Sequence, residues 1–245
     1  MFNFVNLMPK ILLFILLFFN CFTYSQRTYE LKKTNESEIN IDGIISEKEI
    51  NSSIKTSIDY EWEPGYNTPA QYETDVYMSY TETHLYVGVF AYGDPENIRG
   101  QVRPRDQMEG DLNEDIVFLR FDPYKDARSV FLLASNAYGS QIDLRARNAI
   151  SDEERYDMTF NALYETKSSI NEKGYIIEFL IPFTSIPYPR GNNQEWGFNM
   201  MRFYTLDGTR VANISDKYDR DNPCRICQIS GKLVMKDIKF KGKTE

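Results

Sequence analysis

The feature that most constrains the fold is a series of short runs in which apolar and polar residues alternate, separated by turn residues. The clearest runs, Thr74–Tyr80 and His84–Tyr92, are only three residues apart, which predicts a β-hairpin. In the first run Val76, Met78 and Tyr80 share one face, as in a strand with one buried side. The chain also contains 17 Tyr and 16 Phe, residues that favour half-buried strands.

Further runs of this kind follow along the chain, whereas helical periodicity is almost absent. The other predicted strands are 115–121, 129–135, 140–144, 174–181, 196–204 and one or two within 228–240. Single helical turns are predicted at 47–50 and 184–186. Many short strands separated by turn residues predict an all-β sandwich or barrel, and 245 residues suit one such domain.

The first residues have the features of a leader for export. Lys10 is followed by nine apolar residues, 11–19, and Ser25 supplies a small residue at a cleavage position. This pattern predicts a signal peptide over 1–25, because the apolar run is shorter than the about 20 residues of a membrane span. An uncleaved anchor and lipidation at Cys21 are the alternatives. The leader predicts export to the periplasm, the cell surface or the extracellular space. No transmembrane segment is predicted in the rest of the chain.

Charge and residue counts exclude several classes of function. The net charge of −8 argues against nucleic acid as a partner, does not penalise a neutral ligand and favours a cation such as calcium. The single histidine, His84, leaves no Ser-His-Asp or Cys-His arrangement. Glycoside hydrolysis, which needs two carboxylates, stays open because 36 acidic residues allow many pairs.

Two acidic stretches and a pair of cysteines have to be weighed as metal or redox sites. Residues 111–115 and 216–221 are rich in the oxygen ligands that calcium prefers, but solvated acidic turns are the favoured interpretation. Cys224 and Cys227 form a CxxC without the strand-to-helix context of a redox site. In an oxidising compartment this spacing predicts a local disulfide.

Several segments, taken in order, resemble the family 9 carbohydrate-binding modules. The matching pieces are Ile41-Asp42-Gly43 with Glu47, Pro69, Thr74-Asp75-Val76, Leu85-Tyr86-Val87-Gly88, Arg105-Asp106, 115–122, 131–136 with Gly139 and Asp143, Gly174-Tyr175, Glu178-Phe179, Ile181-Pro182-Phe183 and Trp196-Gly197-Phe198-Asn199 with Arg202. Ile50 and Tyr156-Asp157 stand where the family often has Trp and Trp-Asp. The subgroup that matches best is found at the front of bacterial outer-membrane barrel proteins.

The resemblance implies a single β-sandwich of two antiparallel sheets, jelly-roll-like, over residues 26–245. It also implies recognition of carbohydrate and, in some members, structural calcium. An exported, non-catalytic carbohydrate-binding module, associated with polysaccharide degradation or uptake, is therefore the leading hypothesis. A periplasmic domain that contacts an envelope protein is the second hypothesis. A hydrolase acting on O-glycosyl bonds is the third.

The candidate ligand-binding residues lie mainly in one segment rich in proline and aromatic residues. Residues 60–70 contain two Pro, one Gly and three aromatics, so they cannot form a central strand. Trp62, Tyr66 and the neighbouring Tyr72 can offer flat faces to a sugar. The alternative for Trp62 is that it caps the core, and for Trp196 a core position is favoured.

A second polar segment adds candidate hydrogen-bonding groups. Arg103, Arg105 and Asp106 can donate to, or accept from, the hydroxyl groups of a sugar. A structural ion pair between Arg105 and Asp106 is the favoured alternative.

Overall fold

The computed structural model describes residues 27–107, 113–149, 151–219 and 228–239, which form two β-sheets packed face to face. The large sheet contains β1 (Thr28–Glu30), β4 (Tyr60–Glu63), β5 (Thr68–Pro69), β8 (Ile116–Asp122), β9 (Ser129–Asn136), β10 (Gln141–Arg147), β11 (Tyr156–Asp157), β14 (Gln194–Leu206), β15 (Thr209–Ile214) and β16 (Gly231–Met235). The small sheet contains β2 (Lys32–Lys33), β3 (Ile54–Ser57), β6 (Thr74–Tyr80), β7 (His84–Tyr92), β12 (Glu165–Asn171) and β13 (Gly174–Pro182). The predicted all-β sandwich is confirmed.

The strand order brings distant parts of the chain together. The large sheet runs β11-β10-β9-β8-β14-β15-β4-β5, and the start of β14 also pairs with β16, which in turn pairs with β1. The small sheet runs β12-β13-β7-β6, with β2 and β3 both paired to β6. The pairs β1–β16 and β2–β6 are parallel, and the other described pairs are antiparallel. The signal peptide predicted for 1–25, Cys21, Cys224 and Cys227 lie outside the described residues.

Helices are short and lie between strands. The α-helices are α1 (Glu47–Ser52) and α2 (Asp152–Arg155), and the 3-10 turns are Glu36–Glu38, Pro95–Asn97 and Phe183–Ser185. A capping box formed by Ser46 and Glu49 starts α1, which extends the predicted turn at 47–50. Within the described ranges, no helix has both the length and the apolar character that crossing a membrane requires.

The strands predicted from alternation are present with shifted ends, and the hairpin of β6 and β7 has the predicted bounds. The structure differs from the sequence prediction in two respects. Residues 60–70 contain a short hairpin of β4 and β5 rather than only a loop. Strands β1, β2, β3, β11, β12 and β15 were not predicted. The sequence of β12 (ETKSSIN) gave no signal because it is a polar edge strand with few buried side chains.

The large sheet is buried on both faces, which the alternation on β8 shows. Val117, Leu119 and Phe121 point into the main core between the sheets, and their exposure is 0%. Ile116 and Phe118 point to the opposite side and join a second buried cluster on the outer face of this sheet. We call this second group the outer cluster; its members are Ile116, Phe118, Val130, Leu132, Ala134, Ile142, Ala146, Met201, Phe203, Ala212, Ile214 and Tyr218.

The Ile-Asp-Gly motif fastens the start of the chain to the outer side of the small sheet. The amides of Asp42 and Gly43 donate to Glu178 Oε2 at 3.1 and 2.7 Å. The hydroxyl of Tyr86 donates to Glu178 Oε1 at 2.8 Å. Glu178 is fully buried, so these three donors replace the water that its carboxylate loses. Segments far apart in sequence thus form one anchor.

Candidate binding site

A β-bulge in β4 sets the direction of the side chains at the predicted aromatic segment. Glu61 pairs with Asn213, whereas Glu63 pairs with Ala212, so that Trp62 is the extra residue. Bulges of this kind change the direction in which side chains point. Paired residues of neighbouring strands point to the same face of a sheet, and Ala212, the partner of Glu63, belongs to the outer cluster. Glu63 therefore lies on the same outer face as Trp62.

Trp62 packs against the margin of the outer cluster and is half-buried. Its ring centroid is 6.4 Å from that of Phe203 and 5.1 Å from that of Tyr218. Tyr60 lies beside this margin too, with Lys217 Nζ 5.7 Å from its ring centroid. Trp62 therefore caps a core, as the alternative proposed, but the core is the outer cluster. Because Trp62 is only half-buried, it stays a candidate for contact with a ligand.

Hydrogen bonds fix the tip of the hairpin. Asn67 Nδ2 donates to the carbonyl of Tyr218 at 2.7 Å, and the amide of Tyr218 donates to Asn67 Oδ1 at 2.8 Å. The amide of Gly65 donates to Glu61 Oε1 at 2.9 Å. Tyr66 lies between these fixed points with 45% of its surface exposed. The structure therefore brings Trp62 and Tyr66 together on one braced hairpin.

An ion pair lies next to the indole on the same face. Arg210 Nη2 is 2.7 Å from Glu63 Oε2, and the guanidinium carbon of Arg210 lies 5.6 Å from the centroid of the Phe203 ring. Both partners remain accessible, since the side chains of Arg210 and Glu63 are 37% and 49% exposed. Trp62, Glu63 and Arg210 thus place an aromatic face, an acceptor and a donor side by side. We call these three residues the bulge site.

Tyr72 lies on the other side of the large sheet. Its ring centroid is 5.4 Å from that of Tyr204, which follows Phe203 on β14 and so points to the opposite face. The buried guanidinium of Arg202 lies 6.0 Å from the Tyr72 ring centroid and donates to Thr74 Oγ1 at 3.0 Å. Tyr72 therefore packs over an internal cation and does not join the bulge site.

Arg103 and Arg105 hold the segment around them against the ends of the large-sheet strands. Arg103 Nη2 is 2.8 Å from Glu114 Oε1. Arg105 contacts Asp143, which is fully buried, and pairs with Asp106 at 3.5 Å. Burial raises the pKa of Asp143, and the hydrogen bond from Arg105 opposes that shift. The structural ion pair predicted for Arg105 and Asp106 is therefore present, and their use by a ligand stays a prediction.

Arg120 is a buried cation on the outer face that the sequence did not single out. It is 2% exposed, and its Nη1 lies 3.4 Å from Met201 Sδ. Burial lowers its pKa to about 10, although the nearby phenols of Tyr218 and Tyr156 favour the charged form. The sequence offered only one sign of this buried cation, a charged residue at an outward-facing position of a strand. A residue of that kind is more often solvated than buried.

In their described parts, the acidic stretches considered for calcium have carboxylates bonded to the protein. Asp115 accepts the amide of Arg99 at 2.9 Å, and burial raises its pKa to about 6. Asp216 accepts hydrogen bonds from the hydroxyl groups of Tyr29 at 3.2 Å and Ser215 at 2.8 Å. Both carboxylates are buried, so the interpretation as solvated acidic turns is wrong for these two residues. Calcium binding stays a prediction.

Comparison with known proteins gives structural neighbours only. No protein-family model and no curated protein sequence matches the chain. A family 9 carbohydrate-binding module from Caldicellulosiruptor kristjanssonii in complex with cellotriose matches with a TM-score of 0.58 and 16% identity, over 89% of this chain and 96% of the module. The structure of such a module from that organism with glucose gives a TM-score of 0.56 and 16% identity, over 89% and 98%.

A third neighbour comes from Bacteroides uniformis and is described as a candidate carbohydrate-binding protein. Its TM-score is 0.62 at 12% identity, over 85% of this chain and 98% of the neighbour. At such identities the likeness concerns architecture. The chain therefore has the fold of the family 9 carbohydrate-binding modules.

Proposed function

We propose that the protein binds carbohydrate, and that the ligand contacts the hairpin of β4 and β5. The observation that carries this proposal is the fold. Over 89% of the chain, it matches the fold of a module that was solved in complex with cellotriose. The partly exposed Trp62 and Tyr66 on that hairpin supply the chemistry.

The arrangement suits a sugar for physical reasons. The C–H surface of a pyranose packs on a flat aromatic face, and its hydroxyl groups need donors and acceptors at the rim of that face. The indole of Trp62 is supported from below by Phe203 and Tyr218, so it loses little conformational freedom when a ligand binds. A preformed face of this kind favours binding of a neutral ligand.

We also propose that the protein acts outside the cytoplasm, in the periplasm, at the cell surface or in the extracellular space. The leader-like pattern in residues 1–25 supports export. The resemblance to domains at the front of outer-membrane barrel proteins supports a role beside polysaccharide degradation or uptake, with an envelope protein as a further partner. Detection of the protein in envelope and medium fractions, against a cytosolic marker, tests this placement.

Calorimetric titration of the folded chain with cellotriose, laminaritriose, xylotriose and mannotriose tests sugar binding. We expect W62A to weaken binding about 10-fold or more, and Y66A about 3-fold, because each loses aromatic contact area. The matched control is Y124A, since Tyr124 is 47% exposed on the β8–β9 connection, and it should bind like the wild type. Absence of binding to all four sugars by folded wild-type protein contradicts the proposal.

A further inference from the structure

The bulge in β4 places two opposite charges beside an aromatic face. Without the extra residue, Trp62 and Glu63 would point to opposite sides of the sheet. With it, both lie on the outer face, where Arg210 reaches Glu63 at 2.7 Å. The arrangement depends on register and so is a property of the fold rather than of composition.

We propose that Glu63 and Arg210 determine the specificity of the bulge site by holding two neighbouring hydroxyl groups of a sugar that stacks on Trp62. This inference rests on the proposed function and adds the polar groups of the site and the feature of the ligand that they recognise. The recognised feature is a vicinal diol at the edge of the stacked ring.

The geometry of the pair supports this role. The guanidinium carbon lies 5.6 Å from the Phe203 ring centroid, and the same ring lies 6.4 Å from Trp62. One buried side chain on β14 therefore positions both the donor and the indole. Glu63 and Arg210 keep 49% and 37% of their side-chain surface, so a ligand at the rim of the indole can reach them.

The chemistry of the pair fits a diol. A guanidinium has five N–H donors and a carboxylate only accepts, so one N–H···O contact leaves most of their hydrogen-bonding capacity for a ligand. A hydroxyl group both donates and accepts. One hydroxyl can donate to Glu63 while its neighbour accepts from Arg210. Because the two charges cancel, the pair favours a neutral sugar over an acidic one.

Removing the Glu63–Arg210 pair should leave the fold intact, so that a change in affinity can be assigned to the lost contacts with the sugar. Exposed ion pairs contribute only about 0–1 kcal/mol to stability. The variants are E63Q, R210M and their combination, titrated with cellotriose, laminaritriose, xylotriose and mannotriose. The control is E195Q, which breaks the Lys125–Glu195 pair of similar exposure (47% and 49%) at 3.1 Å.

We expect E63Q and R210M each to weaken binding about 10-fold, and the double variant to be little weaker than either single variant, because the two residues hold one diol. The wild type should bind monodeoxy derivatives of the preferred sugar more weakly, and R210M should lose part of that discrimination. If Arg210 only supported the structure, R210M would not change the discrimination between the sugar and its monodeoxy derivatives. E195Q should bind like the wild type.

The outcomes separate the two proposals. If W62A loses binding while E63Q and R210M keep wild-type affinity and wild-type discrimination, the inference is wrong and sugar binding stands. If the folded wild type binds none of the four sugars, both are overturned. Thermal unfolding of each variant identifies any loss of binding that comes from loss of structure.

Discussion

Gly43 carries the strictest backbone requirement in the anchor at the start of the chain. Its φ is +89°, and a Cβ there would lie 3.2 Å from the backbone carbon and oxygen of Ser168. We expect G43A to destabilise the protein by about 2–3 kcal/mol, from the strained conformation together with the close contact. Chemical denaturation gives the free energy of unfolding.

Gly208 provides the matched control for this prediction. Its φ is +78°, but nothing lies within 4 Å of a Cβ built at this position. G208A should therefore cost only about 1 kcal/mol, the conformational part alone. Equal losses in the two variants would show that the contact between Gly43 and Ser168 does not matter.

Single residues were predictable where the local pattern determines burial. Trp196 begins an apolar strand, was predicted to lie in the core and is 1% exposed. Arg120 was not predictable, because its burial depends on a second apolar layer over the outer face of the large sheet. Tyr72 packs near Arg202, which is 130 positions away in the sequence, and a contact over such a separation follows from the fold and not from the local pattern.

Asp157 organises the short strand β11 and the turn that follows it. The hydroxyl of Thr159 donates to Asp157 Oδ1 at 2.6 Å, and Arg145 Nη2 lies 2.6 Å from Oδ2. The hydrogen bond from Thr159, followed by that from Arg145, lowers the pKa of Asp157 to about 2. The folded-state pKa is thus below the unfolded value of about 3.9.

Because the pKa of Asp157 is lower in the folded state, its contribution to stability increases with pH. The ionised Asp157 stabilises the fold above about pH 4, and this contribution is lost as the pH falls from about 4 to about 2. We expect D157N to cost about 1 kcal/mol at pH 6, a value reduced for solvent screening, and much less at pH 2. Unfolding curves of both proteins across this range measure it, and a constant difference between them contradicts the assignment.

Strands were predictable where apolar and polar residues alternate strongly. They were not predictable where the structure depends on the register between paired strands. The hairpin of β6 and β7 follows from its two runs of alternating residues. The hairpin of β4 and β5 was obscured by its prolines. Pro69, which has no N–H to donate, is tolerated because β5 is the last strand of the large sheet among the described residues. The bulge at Trp62 follows from the pairing with β15, which sequence periodicity does not contain.

At the scale of the whole molecule, the main core and the outer cluster share one sheet and should unfold together. The two tryptophans report on them separately, since Trp196 belongs to the main core and Trp62 packs on the outer cluster. We expect W62F and W196F, each with one remaining tryptophan, to give coincident unfolding transitions by tryptophan fluorescence and by circular dichroism. An earlier fluorescence transition in W196F alone would show that the outer cluster opens independently.

The position of the β4–β5 hairpin at the border of the large sheet has a consequence for how such a protein can diversify. Its tip is attached through β15 and the segment around Tyr218, while the layers that supply most of the apolar burial lie elsewhere. The exposed positions of this tip can therefore be varied with little effect on the scaffold, provided that Trp62 and Asn67 keep their contacts with the outer cluster and Tyr218. Grafting of foreign loops at this position offers a route to new recognition properties on an unchanged framework.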